Sequence, residues 1–185
     1  MRFANRTIIV TGAAGGIGLA TAGLLLDEGA NVILADIDEE ALESVVNAIP
    51  QPLGKRASPV VCDVAIGRQV EALIGHAINK FGSLDGIVCA AAAIKRTPFS
   101  DLKEDDFDAV VRTNLKGSFL CVQAAAKAML ELRDRGREIF GSIVTFSDDG
   151  AFLSIPHIVP HAVAAGGIER LTVSMARGFA NAGIR

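Results

Sequence analysis

The feature that most constrains the fold is a glycine-rich turn directly after a short β-branched run. Residues 7–10 read Thr-Ile-Ile-Val, and the turn that follows contains Gly12, Gly16 and Gly18 in a G-x-x-x-G-x-G pattern. A β-branched run, spaced glycines and a following apolar segment predict a strand, a tight turn and a helix. Such a turn presents the free N–H groups of a helix N-terminus to a pyrophosphate, and glycine leaves room for that group. The turn therefore predicts a dinucleotide-binding site, with Ile17 as a further contact.

Strand-like and helix-like segments alternate along the whole chain. Five apolar runs predict buried parallel strands, at residues 7–10, 32–35, 59–62, 86–90 and 143–146. Segments with helical spacing lie between them, and a last helix is predicted from about 161 to 181. Repeated βαβ units predict an α/β fold, a parallel sheet with helices on both faces and right-handed crossovers. The 185 residues suit one domain over 1–185 with a sizeable core.

Apolar stripes predict which side of each helix faces the sheet. In the first helix the predicted stripe consists of Ile17, Ala20, Thr21, Leu24 and Leu25. A second stripe runs from Val70 to Ile78, and a long third one runs from Phe107 through Asn114 to Ala126. The third is read as one continuous helix.

Charge and cysteine content narrow the possible partners and compartment. The net charge is −3 with both signs interspersed, so no basic patch predicts nucleic-acid binding. Charged residues interrupt every apolar segment before the roughly 18 residues that a membrane span needs. The first six residues run directly into the predicted first strand, so no signal peptide is expected. Three widely spaced cysteines in apolar segments predict buried free thiols, and hence a soluble cytoplasmic protein.

A carboxylate at the end of the second predicted strand indicates which dinucleotide is bound. Asp36 is placed to accept hydrogen bonds from the adenosine ribose hydroxyls and to repel the 2′-phosphate of NADP. Ala13 and Ala14 in the turn, and Ile37 after the acid, supply no Arg or Lys for that phosphate. The pattern therefore favours NAD as the cofactor. The alternative is that Asp36 is a solvated carboxylate at a strand end.

A second acid follows the third predicted strand at the same edge of the sheet. Asp63, with Val64 beside it, is placed to contact the adenine amino group. The alternative is that Asp63 caps the helix that begins near Ile66.

Taken in order, these motifs resemble the short-chain dehydrogenase/reductase family. The resemblance rests on residues 11–18, Asp36, Asp63-Val64, 85–88, 113–117, 141–144 and 171–185, and it covers the whole chain. It implies a Rossmann-like doubly wound parallel sheet, forming one NAD-binding Rossmann domain over 1–185. It implies NAD(P)-linked interconversion of a small-molecule alcohol and ketone. It also implies a homodimer or homotetramer, in which the long helix through Asn114 and the last helix pair across a two-fold axis.

The resemblance implies a catalytic Tyr-x-x-x-Lys, which this chain lacks. Asn114 matches the family's helix Asn. Counting back from Leu171-Thr172, His161 takes the Tyr position and Ala165 the Lys position, and the chain contains no Tyr at all. An imidazole at His161 could act as the base. However, it reaches roughly 2 Å less far than a phenol, and a misplacement of about 1 Å can cost about a hundredfold in rate.

The position of the family's catalytic Ser is ambiguous. Counting forward from residues 141–144 places Asp148 there, whereas alignment on Gly150 places Ser147 there. Asp148 could orient His161 and stabilise an imidazolium. The catalytic candidates are Asn114, Ser147, Asp148 and His161. Two functions stay open: an NAD-dependent oxidoreductase, or a catalytically impaired dinucleotide-binding or assembly module.

His157 and His161 could together ligate a metal ion only if they shared one helical face. Two prolines predict a loop over 156–160, which leaves His157 without a fixed relation to His161, so no metal site is expected.

Residues 89–92 read Cys-Ala-Ala-Ala where the family has Asn-Asn-Ala-Gly. This difference predicts a weaker end of the fourth strand, with the backbone at Ala90 still passing the adenine ribose. Beyond residue 185 the family has two more strands and a substrate loop. We therefore expect five strands with an unpaired edge, and the substrate's identity is not readable.

Overall fold

The computed structural model describes residues 1–137, 141–153 and 155–185. Five parallel strands form one sheet in the order β3-β2-β1-β4-β5. The strands are β1 (Thr7–Thr11), β2 (Asn31–Asp36), β3 (Ala57–Val61), β4 (Gly86–Cys89) and β5 (Ser142–Thr145). The helices are α1 (Gly16–Asp27), α2 (Glu39–Ala48), α3 (Gly67–Phe81), α4 (Glu104–Val111), α5 (Gly117–Asp134) and α6 (Val159–Phe179). A π-helical turn, Arg112–Lys116, joins α4 to α5.

The strand order reverses at β1, which makes the sheet doubly wound. The chain runs outward from β1 to β3 and then returns to β4 on the other side of β1. Successive residues of β1 alternate between two cores. Ile8 and Val10 pack with α1 and α2 on one face, and Ile9 packs with α3 and α5 on the other. This confirms the predicted Rossmann-like sheet, and it puts a crevice outside the carboxyl ends of β1 and β4.

The two edge strands differ from the prediction of buried strands. β3 and β5 are half-exposed along most of their length, whereas β1 and β4 are buried throughout. The prediction was wrong for β3 and β5 because an edge strand has only one neighbour to cover it. The edge position also accommodates Pro59 within β3, since proline lacks the N–H that a second neighbour would require.

The predicted packing face of α1 is also wrong, whereas that of α3 is confirmed. The residues of α1 that are buried are Gly18, Ala22, Leu25 and Leu26. Ile17 and Leu24, both assigned to the packing face, are 61% and 67% exposed. α1 is apolar on every side, so periodicity does not identify the buried one. α3 combines apolar and charged sides, and it buries the predicted stripe between Val70 and Ala77.

The sequence predicted that the outer edge of β5 is unpaired, whereas in the structure Arg185 pairs with part of it. The Arg185 N–H donates to the carbonyl of Gly141 (3.0 Å), and the Ile143 N–H donates to the carbonyl of Arg185 (2.8 Å). Arg185 therefore pairs with β5 in the parallel orientation.

All three cysteines are buried and free, as predicted. Among the described helices, none is both long and apolar enough to cross a membrane.

Candidate active site

The glycine turn between β1 and α1 is closed on its inner side and open on its outer side. Gly12 and Gly16 have φ values of +67° and +52°, a region that glycine adopts without strain. A Cβ added to Gly18 would lie 2.1 Å from the carbonyl oxygen of Gly12, so these two segments of backbone are in direct contact. A Cβ on Gly15 or Gly16 would meet no atom within 4 Å. The turn is therefore a cradle whose open side faces outward at the start of α1.

The Asp36 carboxylate is hydrogen-bonded to this turn. Its Oδ2 accepts a hydrogen bond from the Ala14 N–H (2.9 Å), and its Oδ1 accepts one from the Asp38 N–H (3.2 Å). These bonds fix a half-buried carboxylate at the end of β2, next to the glycine cradle.

A cavity of about 610 Å³ extends from the cradle across the carboxyl edge of the sheet. Seven of the eight predicted cofactor contacts line it: Gly12, Gly16, Ile17, Asp36, Asp63, Val64 and Ala90. The eighth, Gly18, packs behind the turn against Gly12. The volume is within the usual range for ligand pockets.

The far end of this cavity is formed by residues that follow β3. The Oδ1 of Asp63 accepts the Ala65 N–H (2.9 Å), which closes a turn before α3. The N-cap of α3 is Ile66, so Asp63 does not cap the helix directly. Burial, with smaller contributions from Cys121 and Asp63, raises the pKa of the Cys62 thiol to about 12. Cys62 therefore lines the cavity as a neutral thiol at physiological pH.

Two polar side chains hold the segment after β4. The Oγ1 of Thr11 accepts the Ala91 N–H (3.2 Å), and the amide of Asn114 bonds both the N–H and the carbonyl of Ala93 (2.7 and 2.9 Å). These bonds support the strand end that was predicted to be weak. The contribution of Thr11 was missed in the sequence, although its position at the end of a buried strand was an available signal.

Asn114 lies in the π-helical turn and is 4% exposed. The stripe from 107 to 126 was read as one helix, whereas the structure interrupts it at this point. A π-helical turn widens the helix locally, and such turns are frequent at functional sites. Here the turn carries the side chain that bonds both Ala93, in the segment after β4, and His161.

A second cavity, of about 250 Å³, adjoins the first. Both cavities are lined by Ile17 and by Ala90, Ala91 and Ala92. The second is also lined by all four catalytic candidates, which are Asn114, Ser147, Asp148 and His161. Ala165, Phe146 and Ile168 complete an otherwise largely apolar wall.

Three of these four candidates form one hydrogen-bonded chain. The Nδ2 of Asn114 lies 3.1 Å from the Nδ1 of His161, and the Nε2 of His161 lies 2.5 Å from the Oδ2 of Asp148. Ser147 instead donates to the carbonyl of Ala165 and to Glu169. Of the two residues placed at the family's Ser position, Asp148 is therefore the one that contacts His161.

His157 does not join this cluster. It precedes α6 with a φ of +69°, and its carbonyl accepts the Thr97 N–H. Within the described residues, no group of three or more His, Cys, Asp or Glu side chains is arranged to hold a metal ion.

Comparison with known proteins identifies the family. The family model for short chain dehydrogenases matches residues 6–185. The chain is 33% identical to a 3-oxoacyl-[acyl-carrier-protein] reductase of Thermotoga maritima, over 100% of this chain and 72% of that protein. It is 36% identical to a 2,5-dichloro-2,5-cyclohexadiene-1,4-diol dehydrogenase of Sphingobium indicum, over 98% of this chain and 69% of that protein. A crystal structure of a short-chain type dehydrogenase/reductase from Mycobacterium marinum superposes with a TM-score of 0.90 at 29% identity, covering 99% of this chain and 72% of that one. The chain belongs to the short-chain dehydrogenase family.

Proposed function

We propose that this chain is an NAD-dependent oxidoreductase that interconverts a small secondary alcohol and the corresponding ketone. The observation that carries the proposal is the position of Asp36, whose carboxylate is bonded to the glycine turn at the side of the 610 Å³ cavity. Two of the relatives described above are named as a reductase and as a diol dehydrogenase. We place the activity in the cytoplasm, in a homodimer or homotetramer.

The residues of the larger cavity suit each part of NAD. The open backbone at Gly15 and Gly16 leaves room for the pyrophosphate at the start of α1. Asp36 would accept hydrogen bonds from the adenosine ribose, and Asp63 would accept one from the adenine. A 2′-phosphate would bring negative charge against the Asp36 carboxylate, which favours NAD over NADP.

The smaller cavity is placed to hold the substrate. When bound, NAD supplies the hydride acceptor, and the protein must supply a group that handles the hydroxyl proton. Asn114, Asp148 and His161 bring polar atoms to the wall of this cavity. Its other walls, including Phe146 and Ile168, are apolar, which favours a nonpolar or modestly polar substrate.

The alternative function is a catalytically impaired module that binds NAD without turnover. It is favoured by Ala165, which replaces the family's Lys, and by the engagement of both nitrogens of His161 in hydrogen bonds. A Tyr and a Lys at these positions would restore the family's pattern.

Turnover with a panel of secondary alcohols distinguishes the two functions. We expect the wild-type chain to form NADH, followed by its absorbance, with at least one alcohol of the panel. The His161→Tyr/Ala165→Lys double variant serves as the comparison, and calorimetry establishes that both proteins bind NAD. NAD binding without turnover in the wild type, together with turnover in the double variant, would show that the wild-type site is impaired.

A further inference from the structure

We propose that Asp148, and not His161, accepts the substrate proton, and that His161 is a positioning residue that holds this carboxylate. The proposal rests on the oxidoreductase function proposed above. It reverses the roles that the sequence suggested, in which the imidazole was the base and Asp148 oriented it.

The orientation of the Asn114 amide is determined by the backbone of Ala93. The Oδ1 accepts the Ala93 N–H at 2.7 Å, and the Nδ2 donates to the Ala93 carbonyl at 2.9 Å. A flipped amide would set donor against donor and acceptor against acceptor. The second hydrogen of Nδ2 is therefore available to the Nδ1 of His161, 3.1 Å away.

This bond determines the tautomer of His161. Because Nδ1 accepts a hydrogen bond, it carries no proton, and the single proton of the neutral imidazole lies on Nε2. That N–H donates to the Oδ2 of Asp148 at 2.5 Å. Both ring nitrogens are thus engaged, and His161 has no lone pair left with which to receive a proton from a substrate.

Asp148, unlike His161, keeps lone pairs that can accept a proton from the substrate. Its Oδ2 accepts from His161 and its Oδ1 accepts from the Gly150 N–H at 2.8 Å, so two donors hold the carboxylate in one orientation. Each carboxylate oxygen keeps a further lone pair. The side chain is 39% exposed, compared with 21% for His161, and it lines the 250 Å³ cavity.

The proposed step balances with no further reactant than the alcohol and the bound nicotinamide. Oxidation breaks one C–H and one O–H bond of the carbinol. NAD, when bound, would supply the acceptor for the hydride and its electron pair, and the proton would form an O–H bond with the Asp148 carboxylate. The products are a ketone, the reduced dinucleotide and a neutral carboxylic acid at Asp148, and ketone reduction is the reverse.

The tautomer of His161 is measurable without any substrate. Imidazole nitrogen resonances are recorded on ¹⁵N-histidine-labelled protein, and the His161 signals are assigned by their loss in the His161→Gln variant. We expect a neutral ring protonated on Nε2, the tautomer that both the Asn114 donor and the Asp148 acceptor require. A ring protonated on Nδ1, or an unprotonated Nε2 facing the cavity, would overturn the positioning role.

A matched pair of variants then separates the positioning residue from the proton acceptor. His161→Gln keeps an acceptor for Asn114 and a donor for Asp148 but has no titratable nitrogen, whereas Asp148→Asn removes the base at constant size. We expect kcat to stay within about tenfold in His161→Gln and to fall by about a hundredfold or more in Asp148→Asn, the usual contribution of a general base. NAD affinity should be unchanged in both. An equal fall in His161→Gln, or full activity in Asp148→Asn, would contradict the proposal.

The experiments distinguish a chain that is not an oxidoreductase from an oxidoreductase in which Asp148 is not the proton acceptor. NAD binding without turnover in the wild type, with every alcohol tested, would overturn the oxidoreductase function and the acceptor role of Asp148 together. The nitrogen resonances would still decide whether His161 is held as the Nε2–H tautomer. Turnover in the wild type, combined with an equal fall of kcat in His161→Gln or full activity in Asp148→Asn, would overturn only the assignment of Asp148 as the proton acceptor.

Discussion

At the scale of single residues, two glycines of α1 provide a matched test of the turn. Gly18→Ala would place a Cβ 2.1 Å from the Gly12 carbonyl oxygen, whereas Gly23→Ala would meet nothing within 4 Å. We expect Gly18→Ala to lower the free energy of unfolding by about 1–3 kcal/mol through overpacking. Gly23→Ala should raise it by about 0.5–1 kcal/mol through helix propensity.

Urea unfolding of the two variants measures this difference, and calorimetry measures its effect on NAD affinity. We expect affinity to fall only for Gly18→Ala, because the turn must shift to admit the methyl group. Equal stability and affinity in the two variants would contradict the close contact of the backbone at Gly12 and Gly18.

The sequence predicted which residues line the site better than it predicted how they are bonded. Gly12, Asp36 and Asp63 were found from motif position alone, and all three lie on one cavity. The choice between Ser147 and Asp148 could not be made by counting, because two anchors of equal quality differ by one residue. Only the direction of each side chain, toward Glu169 or toward His161, distinguishes them.

At the scale of secondary-structure elements, a buried carboxylate joins the start of β1 to the start of β4. Asp85 is 7% exposed and accepts hydrogen bonds from the Thr7 N–H and the Ser83 hydroxyl, while Arg6 forms an ion pair with it at 2.8 Å. We expect Asp85→Ala to cost about 1–3 kcal/mol of stability, since it leaves the buried Thr7 N–H without an acceptor. Arg6→Ala should cost less than Asp85→Ala, because Arg6 is 43% exposed and the carboxylate keeps its hydrogen bonds from Thr7 and Ser83.

Denaturant midpoints of the two variants test this difference. A loss for Arg6→Ala as large as that for Asp85→Ala would show that the ion pair, rather than the buried hydrogen bonds, joins the two strands.

Element boundaries and faces could be predicted only where composition differs between the sides of an element. α3 has an apolar and a charged side, and its buried stripe was identified correctly. α1 is apolar all round, and its face could not be identified. The π-helical turn at Asn114 has no periodicity of its own that differs from that of the flanking helices, so a single continuous helix was predicted.

At the scale of the whole molecule, exposed apolar side chains on α5 and α6 favour self-association. Phe119 and Val173 are 37% and 47% exposed. We expect light scattering after gel filtration to give the mass of a homodimer or homotetramer, because such surfaces become more stable when buried. Phe119→Glu should reduce the mass, and Lys80→Glu on α3 serves as the control. A monomeric wild type at micromolar concentration would contradict this prediction.

The architecture was the most predictable property of the chain. Repeated βαβ units predicted a parallel sheet with helices on both faces, and the family resemblance implied that the sheet is doubly wound. The pairing of Arg185 with β5 could not be predicted, because two backbone hydrogen bonds leave no pattern in the side chains.

The most direct test of the account is a calorimetric titration of the wild-type chain with NAD and with NADP. The bonding of Asp36 to the glycine turn predicts that NAD binds at least about tenfold more tightly, a difference of about 1.4 kcal/mol. Asp36→Ala should remove this preference, and Glu40→Ala, which deletes a nearby exposed acid, should leave it unchanged. Equal affinity for the two dinucleotides in the wild type, or binding of neither, would contradict the account.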